Sequence, residues 1–448
     1  MSPLKIAALL LAVAALFAPQ AAHSQELLTL QEAVSLGLQK NYSIRIAATQ
    51  DDIDANNATL GNAGFLPTVT GRASRDFTDF NTRNQFESET PREIDHSKTN
   101  TTAASVALAW TVFDGGRMFI EYDRLQAIER SGQLLTKTTI ENTIADISDA
   151  YYNVVRQARK IQSLEDAIAI SEQRVAITQE QYNVGVSAKV EILRAQVDYN
   201  ADRSELLRQL EVLQNAKINL NQLLGRDPGI NFTPADSIEV DRQIAYDGGQ
   251  ANLLNENPSL QRLQVQREIA LNELQLARAQ RYPSIGFSGS YGYNRSLQDP
   301  VIYGNIQGTN ESRRYGFNYG LTLSLPIFNG FNINRQVQNA RVNIELNELQ
   351  FAQEQNRLAA ELARAYSQYT NRLELLQLEE DNVKLAEQNA EIALERYRLG
   401  LLTAIELREA QRNELVAQNR LIDIKYEAKA AEVEIKRLTS SLLQDEQL

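Results

Sequence analysis

Residues 283–293 read PSIGFSGSYGY, and residues 315–325 read YGFNYGLTLSL. In the first stretch Ile285, Phe287, Tyr291 and Tyr293 fall on one side of a period-two alternation, with Ser284, Gly286, Ser288, Ser290 and Gly292 on the other. The second repeats the pattern: Tyr315, Phe317, Tyr319, Leu321, Leu323 and Leu325 against Gly316, Asn318, Gly320, Thr322 and Ser324. Two strands of about 10 residues, each with one apolar, aromatic-tipped face and one small polar face, are the pattern of a membrane barrel wall. An amphipathic sheet on a soluble core would show the same alternation, so other features must decide.

The same pair occurs once more upstream. Val106, Leu108, Trp110 and Val112 alternate with Ser105, Ala107, Ala109 and Thr111, and a weaker strand follows Pro67. The repetition extends over the chain. Asn41 matches Asn257 and Pro67 matches Pro283 at a spacing of 216; Phe113, Gly115, Tyr151, Tyr182 and Gly185 match Phe328, Gly330, Tyr366, Tyr397 and Gly400 at 215. Glu191, Ala195 and Gln196 match Glu406, Ala410 and Gln411. A unit this long exceeds any solenoid repeat, so the chain is an internal duplication. We place repeat 1 at 25–225, an irregular segment at 226–249 and repeat 2 at 250–448. Each repeat reads helix, strand, strand, then a long helical hairpin.

Residues 28–65 and 250–281 are helical in composition, and Pro67 and Pro283 end them by excluding the helical conformation just before the proline. The segments 78–102 and 295–313 are polar and are expected to be long external loops. From Arg117 to Val184 and from Phe331 to Leu399 proline is absent, and each uninterrupted helix would run about 100 Å at 1.5 Å per residue. Ile140, Ile144, Ile147, Tyr151, Val154, Ala158 and Ile161 follow a four-three spacing. Ala359, Leu362, Tyr366, Tyr369, Leu373 and Leu376 do the same, which is a coiled-coil seam with one wet face. Each long helix breaks at a Tyr-x-x-Gly, Tyr182 to Gly185 and Tyr397 to Gly400, and returns. The hairpin tips are thus expected at the end opposite the strands.

Composition sets the compartment. Lys5, the apolar run Ile6 to Ala18 and the small-residue site Ala22-His23-Ser24 read as a signal peptide over 1–24. Its core is too short to span a bilayer. The chain has no cysteine and 7% aromatics, and its net charge of −12 becomes one unit more negative without Lys5. A nucleic-acid partner is not expected from that charge. Nor is a cofactor or metal: His96 is the one histidine after the leader, and no phosphate-binding glycine loop is present. Carboxylate pairs such as Asp51-Asp52 or Glu379-Glu380 point to different sides of a helix and do not converge. An enzyme is therefore not expected. A periplasmic scaffold would explain the hairpins but not four alternating strands.

Taken in order, Leu66-Pro67 and Tyr282-Pro283, Phe113-Asp114-Gly115-Gly116 and Leu325-Pro326-Ile327-Phe328-Asn329-Gly330, and the twin tips resemble the TolC-like outer-membrane efflux proteins over essentially the whole mature chain. The resemblance implies an α+β membrane protein. In it a homotrimeric outer-membrane β-barrel, four strands per subunit and twelve in all, continues into a long α-helical coiled-coil barrel in the periplasm. It implies outer-membrane lipid around the barrel, with a periplasmic adaptor and an inner-membrane pump as partners. The implied function is a gated exit duct for small molecules, or alternatively for unfolded polypeptides in type I secretion. The periplasmic aperture falls on Glu406 and Glu409, with Tyr397 as a constricting tyrosine opposite Glu191. Adaptor contact falls on Val184, Gly185 and Val186 and on Leu399, Gly400 and Leu401, residues that would equally serve packing between neighbouring tips. A basic residue allowed by the family is replaced by Leu402, so a resting lock would either be looser or use Arg396 or Arg408.

Overall fold

The computed structural model describes residues 26–85, 92–303 and 306–442; the leader, 1–24, lies outside them. The order is β1 (Glu26–Leu28), α1 (Leu30–Lys40), α2 (Tyr42–Asn57), β2 (Thr68–Asn84), β3 (Arg92–Phe113), α3 (Arg117–Asn183) and α4 (Lys189–Leu223). It continues with β4 (Phe232–Pro234), α5 (Tyr246–Glu256), α6 (Pro258–Ala279), β5 (Ser284–Tyr303), β6 (Ile306–Ser324), α7 (Asn332–Arg398) and α8 (Ala404–Leu438). Two units emerge, each drawing on both halves of the sequence, and the division falls inside α3 after Leu135 and inside α7 after Glu354.

One unit holds an antiparallel sheet in the order β2-β3-β5-β6, with β3 of the first repeat paired to β5 of the second. Strands β2 and β6 are its edges. The strands are about twice as long as expected, 17 to 22 residues. Most of 78–102 and 295–313, read from sequence as loops, is strand: Thr78 pairs with Thr99, Asp79 with Lys98, Arg295 with Arg313 and Gln298 with Asn310. Polarity was mistaken for irregularity. These rungs leave the apolar band but keep their ladder, helped by β-branched Thr99, Thr101 and Thr102 and by opposite charges such as Arg83 and Glu93 at 3.2 Å. In the same unit, Trp110 Nε1 donates to the Phe65 carbonyl at 2.9 Å. Leu274 and Ala277 of α6 bury against Ile333 and Val337 of α7.

The other unit is built on the seam. Ile144, Ile147, Tyr151 and Val154 of α3 are buried with Leu220 and Leu224 of the returning chain, Leu28, Val34 and Phe232. In the second repeat Leu362, Tyr369 and Leu376 are buried, while Tyr366 is half-exposed and stacks between Tyr246 and Tyr369. Tyr151 does more than pack. Its hydroxyl donates to Asp236 Oδ2 at 2.7 Å and lies 2.9 Å from the Leu28 carbonyl; burial and the neighbouring Asp236 raise its pKa far above the usual tyrosine value. The segment 226–249 is accordingly less irregular than expected. It contains β4, which pairs in parallel with β1, a long-range contact with no local signature.

The expected single helices at 28–65 and 250–281 are each interrupted, at the matched Asn41 and Asn257. Asn41 Oδ1 accepts from the Ser43 and Ile44 amides, while its Nδ2 donates to the Leu223 carbonyl at the end of α4. Asn257 Nδ2 donates to the Leu438 carbonyl at the end of α8. One side chain thus ends a helix and ties down a distant helix terminus whose carbonyls lack partners. Beside it Gly225, with φ +64°, lies so close to Lys40 that a Cβ would sit 2.4 Å from its carbonyl oxygen.

Candidate functional site

The expected aperture and adaptor residues all belong to the two hairpin tips, which share one backbone solution. At the first, Val186 N donates to the Gln181 carbonyl at 2.9 Å and Gly185 N to Tyr182 at 2.9 Å. At the second, Leu401 N donates to Arg396 at 2.8 Å and Gly400 N to Tyr397 at 3.0 Å. These paired bonds form a Schellman cap, which needs a left-handed residue. Gly185 and Gly400 supply it, at φ +82° and +71°. The flanking apolar residues are left in the open: Val184, Val186, Leu399 and Leu401 are 65–75% exposed.

Past the turns the tips diverge. Thr403 caps α8 in a reciprocal capping box: its hydroxyl accepts from the Glu406 amide, and its own amide and hydroxyl donate to Glu406 Oε2 at 2.9 and 2.7 Å. These hydrogen bonds hold the Glu406 carboxyl below its ordinary pKa. The matched position before α4 is Ala188, which offers no cap. Glu191, freed of that role, takes an ion pair with Arg194 at 2.8 Å.

Tyr397 is buried among Ala393, Leu407, Ala410, Ile177 and Leu402. Its hydroxyl lies 2.8 Å from Thr178 Oγ1, which spends its own proton on the Arg174 carbonyl, so Tyr397 is the donor. Two ion pairs flank this contact. Arg408 forms a bidentate fork on Asp202, Nη1 to Oδ2 at 2.8 Å and Nη2 to Oδ1 at 2.6 Å, and Arg174, nearly fully buried, reaches Asp198 at 2.5 Å. The Asp202 hydrogen bonds raise the Arg408 pKa further. The fork joins α8 to α4, and so one hairpin to the other.

Glu191 and Glu409 line a common cavity of about 450 Å³ with Arg174, Arg194, Arg408 and Arg412. Glu406 and Glu409 line a second, of about 300 Å³, with Arg396 and Leu402. Glu409 therefore borders both. Within one chain the carboxylates expected at the aperture are interleaved with arginines. Thr403 was legible as the first residue of a Thr-x-x-Glu box. Thr178 and Asp202 were not, because nothing local marks partners that lie more than two hundred residues from Tyr397 and Arg408; nor was Arg174, whose partner Asp198 lies across the hairpin turn.

No described helix is long and apolar enough to cross a membrane. The profile of the family described as "Outer membrane efflux protein" matches residues 33–226 and 251–441. The chain is similar to the probable efflux pump outer membrane protein TtgC of Pseudomonas putida, 23% identical over 415 residues that cover 91% of this chain and 81% of that one. Outer membrane protein TolC of Escherichia coli is 22% identical over 258 residues, 56% of this chain and 52% of TolC. Among solved structures, the outer-membrane channel OprN superposes with a TM-score of 0.73 at 20% identity over 93% of this chain and 90% of OprN. With the duplicated strand pairs and hairpins, these matches show that the chain belongs to the outer membrane efflux protein family and is an outer-membrane exit duct.

Proposed function

We propose that three copies of this chain close a twelve-stranded barrel, and that their helical hairpins gate a passive duct which a periplasmic adaptor joins to an inner-membrane pump. The observation that carries the reading is the four-stranded sheet with two unpaired edges, β2 and β6, and one continuous apolar face. Four strands cannot close on themselves, and an open edge in hydrocarbon leaves backbone groups unpaired. Pairing β6 of one copy with β2 of the next removes every edge at once. Repeat 1 (25–225) and repeat 2 (250–448) then supply one strand pair and one hairpin each, with the segment 226–249 linking them.

In this reading Glu406 and Glu409, repeated around the threefold axis, concentrate negative charge in the bore and favour cations. Tyr397 and Glu191 hold the adjoining constriction. The lock that Leu402 cannot provide is the Arg408–Asp202 fork, while Arg396 stays beside Glu406. The exposed Val184-Gly185-Val186 and Leu399-Gly400-Leu401 are where an adaptor hairpin docks. Small molecules are the cargo this reading favours, in keeping with the efflux pump naming of the Pseudomonas putida relative.

Single-channel conductance in planar bilayers tests it, on the wild type and on Glu406→Ala with Glu409→Ala. Small cation-selective openings whose selectivity falls in the double variant are expected. Folded, membrane-inserted oligomers without conductance would overturn the duct.

A further inference from the structure

Strand register sets the outward face of the sheet rung by rung. Leu321 stands opposite Phe287, Tyr319 opposite Gly289, Phe317 opposite Tyr291 and Tyr315 opposite Tyr293. The last three rows continue through Leu108 and Val69, Val106 and Gly71, and Ala104 and Ala73. Leu325 to Tyr315 measures about 34 Å along the chain at about 3.4 Å per residue. At a tilt of about 40° that is a height of about 26 Å, the apolar band of an outer-membrane barrel, with Tyr293 and Tyr315 as its girdle towards the hairpin turns.

The next rung on this same face is Arg75, Thr102, Arg295 and Arg313. Three guanidiniums thus stand immediately beyond the girdle. Arg295 and Arg313 are directly opposite each other, an arrangement that like charges disfavour. It is held by Glu311, whose Oε1 accepts from both Nε atoms at 2.7 Å. That carboxylate engages Arg295 through Nε alone and neutralises one charge of three. Arg75 instead lies over the Phe77 ring, 5.0 Å from its centroid. Beyond the Glu311 rung, Asp79, Lys98 and Asp299 share a row, so the positive charge is confined to a single height. Arginine costs little at the edge of the apolar band, and its fork matches phosphate oxygens.

We propose that this arginine row binds the phosphates of the phosphorylated glycolipid in the outer leaflet, clamping the barrel at a fixed depth. The proposal rests on the barrel reading above for which face meets lipid. The test is the heat-dissociation temperature of the purified full-length oligomer in detergent, titrated with a diphosphorylated lipid A-type glycolipid, the same lipid without phosphates, or inorganic phosphate. The phosphorylated lipid should raise the temperature and the other two should not. An equal rise with dephosphorylated lipid reduces the effect to apolar contact and overturns the proposal. An equal rise with inorganic phosphate also overturns it, in favour of a free-anion site. Arg75→Gln with Arg295→Gln and Arg313→Gln should weaken the lipid effect about tenfold or more, with partial recovery in the three lysine variants; undiminished lipid binding in the glutamine triple variant refutes the assignment. Bilayer conductance of that variant should match the wild type, which separates failure of this proposal from failure of the duct.

Discussion

At the tip between α3 and α4 the chain turns through Gly185 and enters the next helix at Ala188, which caps nothing. At the tip between α7 and α8 it turns through Gly400 and enters at Thr403, which captures Glu406 in a capping box. The turns use the same pair of hydrogen bonds, so duplication preserved the backbone solution while the chemistry of the following helix drifted apart. The consequence lies in the third residue of each returning helix. Glu191 is available to pair with Arg194 and to line the larger cavity, whereas Glu406 shares its carboxylate between the cap and the smaller cavity. A glutamate read from sequence purely as an aperture charge is therefore also a helix cap.

The largest effect should come from the fork by which Arg408 of the second hairpin grips Asp202 of the first. Arg408→Ala leaves the buried Asp202 carboxylate without this partner, at a cost of about 3 kcal/mol. A lower urea midpoint with a larger open-channel conductance is expected; unchanged conductance would remove the fork from the gate. Next, Gly185→Ala and Gly400→Ala should each lose about 1 kcal/mol, since an alanine must adopt the left-handed conformation although nothing crowds its Cβ. Equal losses in chemical denaturation keep the turns equivalent, and unequal ones break the comparison.

Thr403→Ala should cost about 1 kcal/mol and raise amide exchange over the first turn of α8. Ala188→Thr should gain a smaller amount, with slower exchange at the start of α4. Failure of Ala188→Thr to gain protection would mean that Glu191 is held by Arg194 too firmly to complete a box. The smallest effect is that of pH. The folded Glu406 pKa lies below its unfolded value, so the cap contributes fully above the unfolded pKa and is lost as pH falls through the lower, folded one. Amide exchange at residues 404–407 should accelerate over that acid range, and exchange at 189–192 should not follow the same titration.

The strand pairs, the proline-terminated helices and the glycine-turned hairpins were legible because each rests on a local rule: period-two alternation, the restriction before proline, and the left-handed cap. Strand length was misjudged because Thr99 to Thr102 and Arg313-Arg314 look like loop by polarity, yet pair across the hairpin. The breaks at Asn41 and Asn257 were visible as matched residues without a role. That role is a bond to a carbonyl some 180 residues away.

By itself the sequence determined the duplication, the order of strand pairs and helical hairpins, the apolar faces and the positions of both tips, most of which depend on residues near one another in the chain. Only the tertiary structure decided that β3 joins β5, that Tyr151 anchors β1 and Asp236, that Tyr397 turns its hydroxyl to Thr178 and that Arg408 closes on Asp202. Those contacts depend on which distant segments are brought within hydrogen-bond reach, and periodicity along a chain carries no record of that distance.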